Sequence, residues 1–149
     1  MVFQLNDTNV VFPNPSFANE DGLLAFGGNL NVATLKMAYS LGIFPWFSEH
    51  EPICWYAPKS RCVIFKQNIY ISKSLQKIIA KNHFTITLNT AFAQVIQACK
   101  ITPRKNQNGT WITTEMEQAY INLYNKGVAH SVEVWQNDRS EERRVGKEC

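Results

Sequence analysis

Residues 74–99, SLQKIIAKNHFTITLNTAFAQVIQAC, decide the fold class. Leu75, Ile78 and Ile79 recur at i, i+3 and i+4, the spacing of one helical face, which predicts a helix from about Ser74 to Lys81. Phe84 to Leu88 then alternates apolar and polar, as a strand does. From about Thr90 to Cys99 the helical period returns, with Phe92, Val95, Ile96 and Cys99 set for burial. Helix, strand and helix in quick succession, without internal repeats, make the chain α+β.

Upstream, Asn31 can cap a helix from about Val32 to Leu41, with Leu35, Ala38 and Tyr39 on one face and Gly42 as its stop. The first thirty residues are turn-rich, and Gly27-Gly28 reads as a tight turn rather than a phosphate cradle. Ile43 to Phe47 is too apolar and aromatic for an ordinary exposed loop. Ile53 to Tyr56 and Cys62 to Phe65 predict short strands, and Pro58-Lys59 between them marks the expected domain boundary. Downstream, Lys100 to Gly109 is a polar, basic loop. A capping box of Thr114 and Glu117 predicts a helix burying Met116, Ala119, Tyr120 and Leu123 and ending at Gly127. His130 to Trp135 alternates as a strand, with Val132 and Val134 on one side and no partner to follow it. Truncation inside a sheet would leave such a strand.

The last eleven residues, RSEERRVGKEC from Arg139 to Cys149, hold seven charges and one apolar side chain, Val145. They match the in-frame translation of a common sequencing adapter, so the natural sequence is expected to stop near Asp138. The expected organisation is an N-terminal domain at 1–58, an incomplete second domain at 59–138 and a non-native tail at 139–149.

Composition narrows the function classes. The hydrophobic content is 45%, and neither a run of 18 apolar residues nor a basic-then-apolar start occurs. A cytoplasmic protein without a membrane partner is the expectation. Cys54, Cys62, Cys99 and Cys149 form no CxxC pair and have no His at ligand spacing, which predicts free thiols and no metal. The net charge of +3 is unevenly spread. Residues 52–114 contain no Asp or Glu but nine cations, a stretch that repels itself. Either a polyanion such as nucleic acid relieves it, or it is a solvated surface. Lys73, Lys77 and Lys81 lie at four-residue spacing on the second helix. Like charges so placed cost a few tenths of a kcal/mol per pair, and the row suits a phosphate backbone or a solvated face.

No Walker loop, GxGxxG, HExxH or GxSxG motif is present, and His50, His83 and His130 are isolated. Trp46 follows Pro45, and Trp111 sits beside Gly109-Thr110 at the mouth of a helix. Each is either a stacking platform for a base or a core residue. Trp55 and Trp135, inside strands, read as core.

Phe12-Pro13-x-Pro15, Asp21-Gly22-Leu23-Leu24-Ala25-x-Gly27-Gly28-x-Leu30 and Ala38-Tyr39-x-x-Gly42-Ile43-Phe44-Pro45-Trp46 occur in that order. Gly109-Thr110-Trp111-Ile112-Thr113, Ala119-Tyr120 and His130-Ser131-Val132-Glu133-Val134-Trp135 follow. Together they resemble the leucyl/phenylalanyl-tRNA–protein transferase family of bacteria, from about Val11 to Trp135. The resemblance implies transfer of Leu or Phe from aminoacyl-tRNA to a protein with an N-terminal Arg or Lys, marking it for degradation. It implies a monomer without metal, cofactor or covalent protein intermediate. It also implies a small N-terminal α/β domain followed by the first part of an acetyltransferase-like (GNAT-like) domain. By resemblance, Trp46 and Trp111 stack on the 3′-terminal adenosine, Tyr120 lies nearby, and Lys73, Lys77 and Lys81 grip the acceptor stem. The chain departs from the family at Asn29 (often Asp), Tyr56 (often Trp) and Lys73 (often Arg). A Lys at the last position keeps the charge but loses bidentate phosphate geometry. The residues implied to activate the attacking amine fall beyond Asp138, which makes an inactive fragment the expectation. The alternative is an RNA-binding module without chemistry.

Overall fold

The computed structural model describes residues 2–103 and 110–136. The adapter-like tail Arg139–Cys149 lies outside the described residues, as do Arg104, Lys105 and Gly109 of the basic loop. In chain order the elements are β1 (Phe3–Leu5), β2 (Leu23–Gly27), α1 (Val32–Ser40), β3 (Phe44–Pro45), β4 (Cys54–Tyr56), α2 (Lys73–Ala80), β5 (Phe84–Leu88), α3 (Phe92–Ile101), α4 (Thr114–Asn125) and β6 (Val132–Gln136). The chain divides into two compact units, Met1–Arg61 with Lys100–Ala129, and Cys62–Cys99 with His130–Cys149.

The first unit carries a four-stranded sheet in the order β1-β2-β4-β3. β1 runs parallel to β2, and the β2–β4 and β3–β4 pairs are antiparallel. Trp55 of β4 is wholly buried, packs edge-on against Phe12 at 4.8 Å, and donates from its indole nitrogen to the Gly27 carbonyl at 2.9 Å. Its polar atom is therefore satisfied inside the core. Leu24, Ala25, Leu35, Ala38 and Ile43 surround it, and α4 adds Met116, Ala119 and Leu123.

Helix ends follow their capping residues. The Asn31 side chain accepts from the Thr34 amide at 2.8 Å and starts α1. Gly42, at φ +71°, takes the left-handed conformation that ends it. The expected capping box at Thr114 and Glu117 is displaced by one residue. Thr113 is the cap, accepting from the Met116 amide at 3.1 Å, because its backbone is the last extended one and Thr114 is already helical; Thr114 and Glu117 both accept from Lys100 instead.

In the second unit, β5 and β6 form an antiparallel pair with Ile86 opposite Val134 and Leu88 opposite Val132. The terminal strand thus has a partner behind it in the chain. Ser72 caps α2, accepting from the Leu75 amide at 3.2 Å. Its apolar stripe does not reach a core, since Leu75, Ile78 and Ile79 are 45–56% exposed. Cys62 to Phe65 is not a strand: no described strand pairs with it, and an apolar run without a partner gives no ladder. α3 buries Phe92, Ile96 and Cys99. Cys54 and Cys62 are free thiols. No helix among the described residues is long and apolar enough to cross a membrane.

Candidate nucleotide site

Both candidate indoles belong to the first unit, and the fold brings them to one cavity. β3 pairs with β4 through Phe44 opposite Tyr56 and Pro45 opposite Trp55, and the Trp46 amide donates to the Cys54 carbonyl at 2.9 Å. The hairpin therefore ends with Trp46 at its rim. The loop beyond it is closed by the Ser48 amide donating to the Glu51 carboxylate at 2.8 Å. Trp111 lies three residues before α4, held by the cap at Thr113 and by the fully buried Ile112.

A cavity of about 510 Å³ opens between these loops, lined by Trp46, Glu49, Glu51, Tyr56, Lys100 and Trp111, among others. That volume lies in the range of about 300–1,000 Å³ typical of small-molecule sites. Trp46 is 51% exposed, and its ring lies 5.5 Å from that of Tyr56. Trp111 is half-buried against the core, with its ring 6.4 Å from that of Tyr120. Neither indole is sealed inside. Trp46 is not a core residue, and Trp111 combines core packing with a face on the cavity.

Tyr120 and Tyr39 join their hydroxyls in a hydrogen bond between α4 and α1. Burial raises both phenol pKa values, Tyr120 more strongly, so both remain neutral hydroxyls. The two phenols line a second cavity of about 320 Å³ with Phe44, Arg61 and Trp111. The Arg61 guanidinium donates to the carbonyls of Pro58 and Gly42 and lies 5.5 Å from the Phe44 ring centroid.

Electrostatically the larger cavity is mixed. Among the described residues its one lining cation, Lys100, is tied to Glu117 and to the Thr114 hydroxyl, each at 2.9 Å. Burial and the neighbouring Glu51 carboxylate push the Cys54 thiol up, which removes it as a ready nucleophile. Among the described residues no group of three or more His, Cys, Asp or Glu is placed to hold a metal.

The lysine row lies in the second unit. Lys73 and Lys77 are on α2, Lys81 is its C-cap, and all three are exposed. Among the described residues none of them has a carboxylate partner. Trp135 is half-buried rather than core, its indole nitrogen donating to the Thr87 hydroxyl at 2.7 Å. Sequence reasoning singles out the two indoles but gives Arg61, Glu49 and Glu51 no role in the site. Their proximity to Pro58 and Trp46 was the available signal.

Two family models match the chain. One, described as leucyl/phenylalanyl-tRNA protein transferase, covers residues 63–141, and one for the N-terminal domain of the same protein covers residues 28–59. A leucyl/phenylalanyl-tRNA–protein transferase of Pseudoalteromonas translucida is 51% identical over 136 residues, 90% of this chain and 57% of its own length. One from Flavobacterium johnsoniae is 50% identical over 130 residues, 87% of this chain and 61% of its own. One from Pectobacterium carotovorum is 48% identical over 140 residues, 93% of this chain and 58% of its own. The chain thus spans between half and two thirds of the length of these relatives.

Proposed function

The chain belongs to the leucyl/phenylalanyl-tRNA protein transferase family, and on that premise we propose that it forms the tRNA-binding part of an aminoacyltransferase. The enzyme would move Leu or Phe from aminoacyl-tRNA to the N-terminal Arg or Lys of an acceptor protein, tagging it for degradation in the bacterial cytoplasm. Residues 59–138 would open an acetyltransferase-like (GNAT-like) domain of the longer product.

In this reaction the acceptor amine attacks the aminoacyl ester carbon. A C–N bond forms, the bond to the ribose oxygen breaks, and the amine proton ends on that oxygen. The protein's task is to hold the two reactants together and to carry the proton. Trp46 and Trp111 offer stacking faces to the 3′-terminal adenosine, with Tyr120 beside them. Lys73, Lys77 and Lys81 meet phosphates of the acceptor stem, a contact that carries no sequence information. The observation that supports this reading best is the single cavity lined by two indoles distant in sequence, one of them half exposed.

Two measurements test it. Trp111→Ala is expected to weaken binding of a 3′-adenosine analogue by about 1–3 kcal/mol, and unchanged affinity would reduce Trp111 to a packing residue. The longer gene product is expected to transfer labelled Leu from tRNA to an N-terminal Arg peptide, while the 149-residue chain binds without transfer. Turnover by the 149-residue chain would place the chemistry among its own residues. Binding without transfer by the longer product would leave an RNA-binding module.

A further inference from the structure

The two cavities of the first unit share a wall. Trp111 lines both, and Phe44 of the smaller one stacks on Tyr56 of the larger, with ring centroids 6.3 Å apart and planes 24° apart. Among the described residues their charges are opposite. The larger cavity presents the carboxylates of Glu49 and Glu51, while its Lys100 is already paired with Glu117. Among the described residues the smaller cavity has no lining carboxylate, and Arg61 is its one charged group. Arg61 spends Nε on the Pro58 carbonyl and Nη2 on the Gly42 carbonyl. Neutral carbonyls fix the guanidinium plane without cancelling its charge, and the third nitrogen, Nη1, takes part in neither bond. The Tyr39 and Tyr120 hydroxyls form the polar part of the opposite lining.

A nucleotide whose base stacks at Trp46 and Trp111 carries a phosphate on its 5′ side. Two carboxylates make the larger cavity a poor place for that charge, whereas an oriented guanidinium beside phenolic hydroxyls suits it. We propose that the smaller cavity, built around Arg61, Tyr39 and Tyr120, is the subsite for the 5′-phosphate of the terminal adenosine. This assignment rests on the stacking reading given above and extends it from the base to the backbone. The site would also set direction. With the 5′ side drawn to Arg61, the aminoacylated 2′,3′ edge of the ribose is left on the other side of the shared wall.

The test is titration of the 149-residue chain with adenosine, 5′-AMP, 3′-AMP and inorganic phosphate, followed by tryptophan fluorescence. 5′-AMP is expected to bind about fivefold more tightly than adenosine at low salt, the size of one partly exposed charge contact. 3′-AMP should gain nothing. Raising the salt should erase the advantage of 5′-AMP and leave adenosine binding in place. Arg61→Ala should bring 5′-AMP down to the affinity of adenosine, with Arg61→Lys recovering part of the difference. If Arg61→Ala fails to fold, the wild-type ratio and its salt dependence still decide the matter. Equal affinities for 5′-AMP and adenosine would overturn the subsite while leaving the stacking reading intact. Equal weakening of both ligands in Arg61→Ala would make Arg61 a brace for Gly42 and Phe44 instead. Phosphate binding as tightly as 5′-AMP would show a free-anion site unrelated to the nucleotide. Failure of adenosine itself to bind would remove both readings together.

Discussion

Glu133 faces inward from β6 at 1% exposure, and each of its partners is neutral. Its carboxylate accepts from the hydroxyls of Ser131 and Thr87 at 2.6 Å, of Thr90 at 2.9 Å, and from the Ala91 amide at 3.2 Å. The Ser131 and Thr87 bonds lead in holding its pKa down to about 2. Unfolding returns the group to an ordinary carboxylate, so the unfolded chain binds the extra proton between the two values. The stabilisation is therefore complete above about pH 5 and disappears as the pH falls toward 2. Glu133→Gln is expected to melt lower at neutral pH and to flatten the acid limb of a melting-temperature profile. An unchanged acid limb would show that the network does not stabilise this unit. Gly27 offers a backbone counterpart. Its φ of +85° and a distance of 3.0 Å from an added Cβ to the Leu5 carbonyl oxygen make a side chain there strained and crowded. Gly27→Ala should cost at least the roughly 1–2 kcal/mol of a left-handed L-residue, read from a thermal melt. A melt matching wild type would mean that β1 can shift aside.

At the scale of elements, α2 and its C-cap present three exposed ammonium groups along about 12 Å, at 1.5 Å per residue. If these meet phosphates, each removed lysine should lower the slope of log affinity against log salt by about one, with no change in sequence preference. Lys77→Ala with an unaltered slope would return the row to a solvated face. The helices were the legible elements. Asn31 and Gly42 act where their chemistry places them, and the one displaced cap, Thr113 for Thr114, falls between two adjacent threonines with the same capping chemistry, which sequence alone does not rank. The strands were less legible. β1 and β3 have three and two residues, too short for alternation to register, while the apolar run Cys62 to Phe65 finds no neighbour among the described strands. In the site, Trp46 and Trp111 were visible through their Pro and Gly neighbours. That one cavity joins them, and that Arg61 borders the next, depends on the hairpin register and on α4, which sequence order does not give.

At the scale of the whole molecule, polar and apolar surfaces are arranged differently in the two units. The first closes its sheet over Trp55, with the indole nitrogen satisfied and the phenols paired. In the second, the β5–β6 pair turns Glu133 and the Thr87 hydroxyl to its bonded face, and Phe84, Ile86, Leu88, Val132 and Val134 to the other. Those five side chains are 36–69% exposed. Cross-strand pairing makes them contiguous, since Ile86 faces Val134 and Leu88 faces Val132. A two-stranded sheet with an uncovered apolar face is marginal in water, and such a patch attracts whatever apolar surface it meets. The 149-residue chain is therefore expected to bind an environment-sensitive apolar dye and to self-associate as its concentration rises. Replacing Ile86 and Val134 together with Lys should abolish both effects while leaving the Trp46 cavity of the first unit able to bind adenosine. Like charges directly opposite cost the pair some stability, so Ile86→Lys with Val134→Glu is the matched variant that separates patch removal from unfolding. A chain that stays monomeric and dye-free at high concentration would mean that this face is covered in solution.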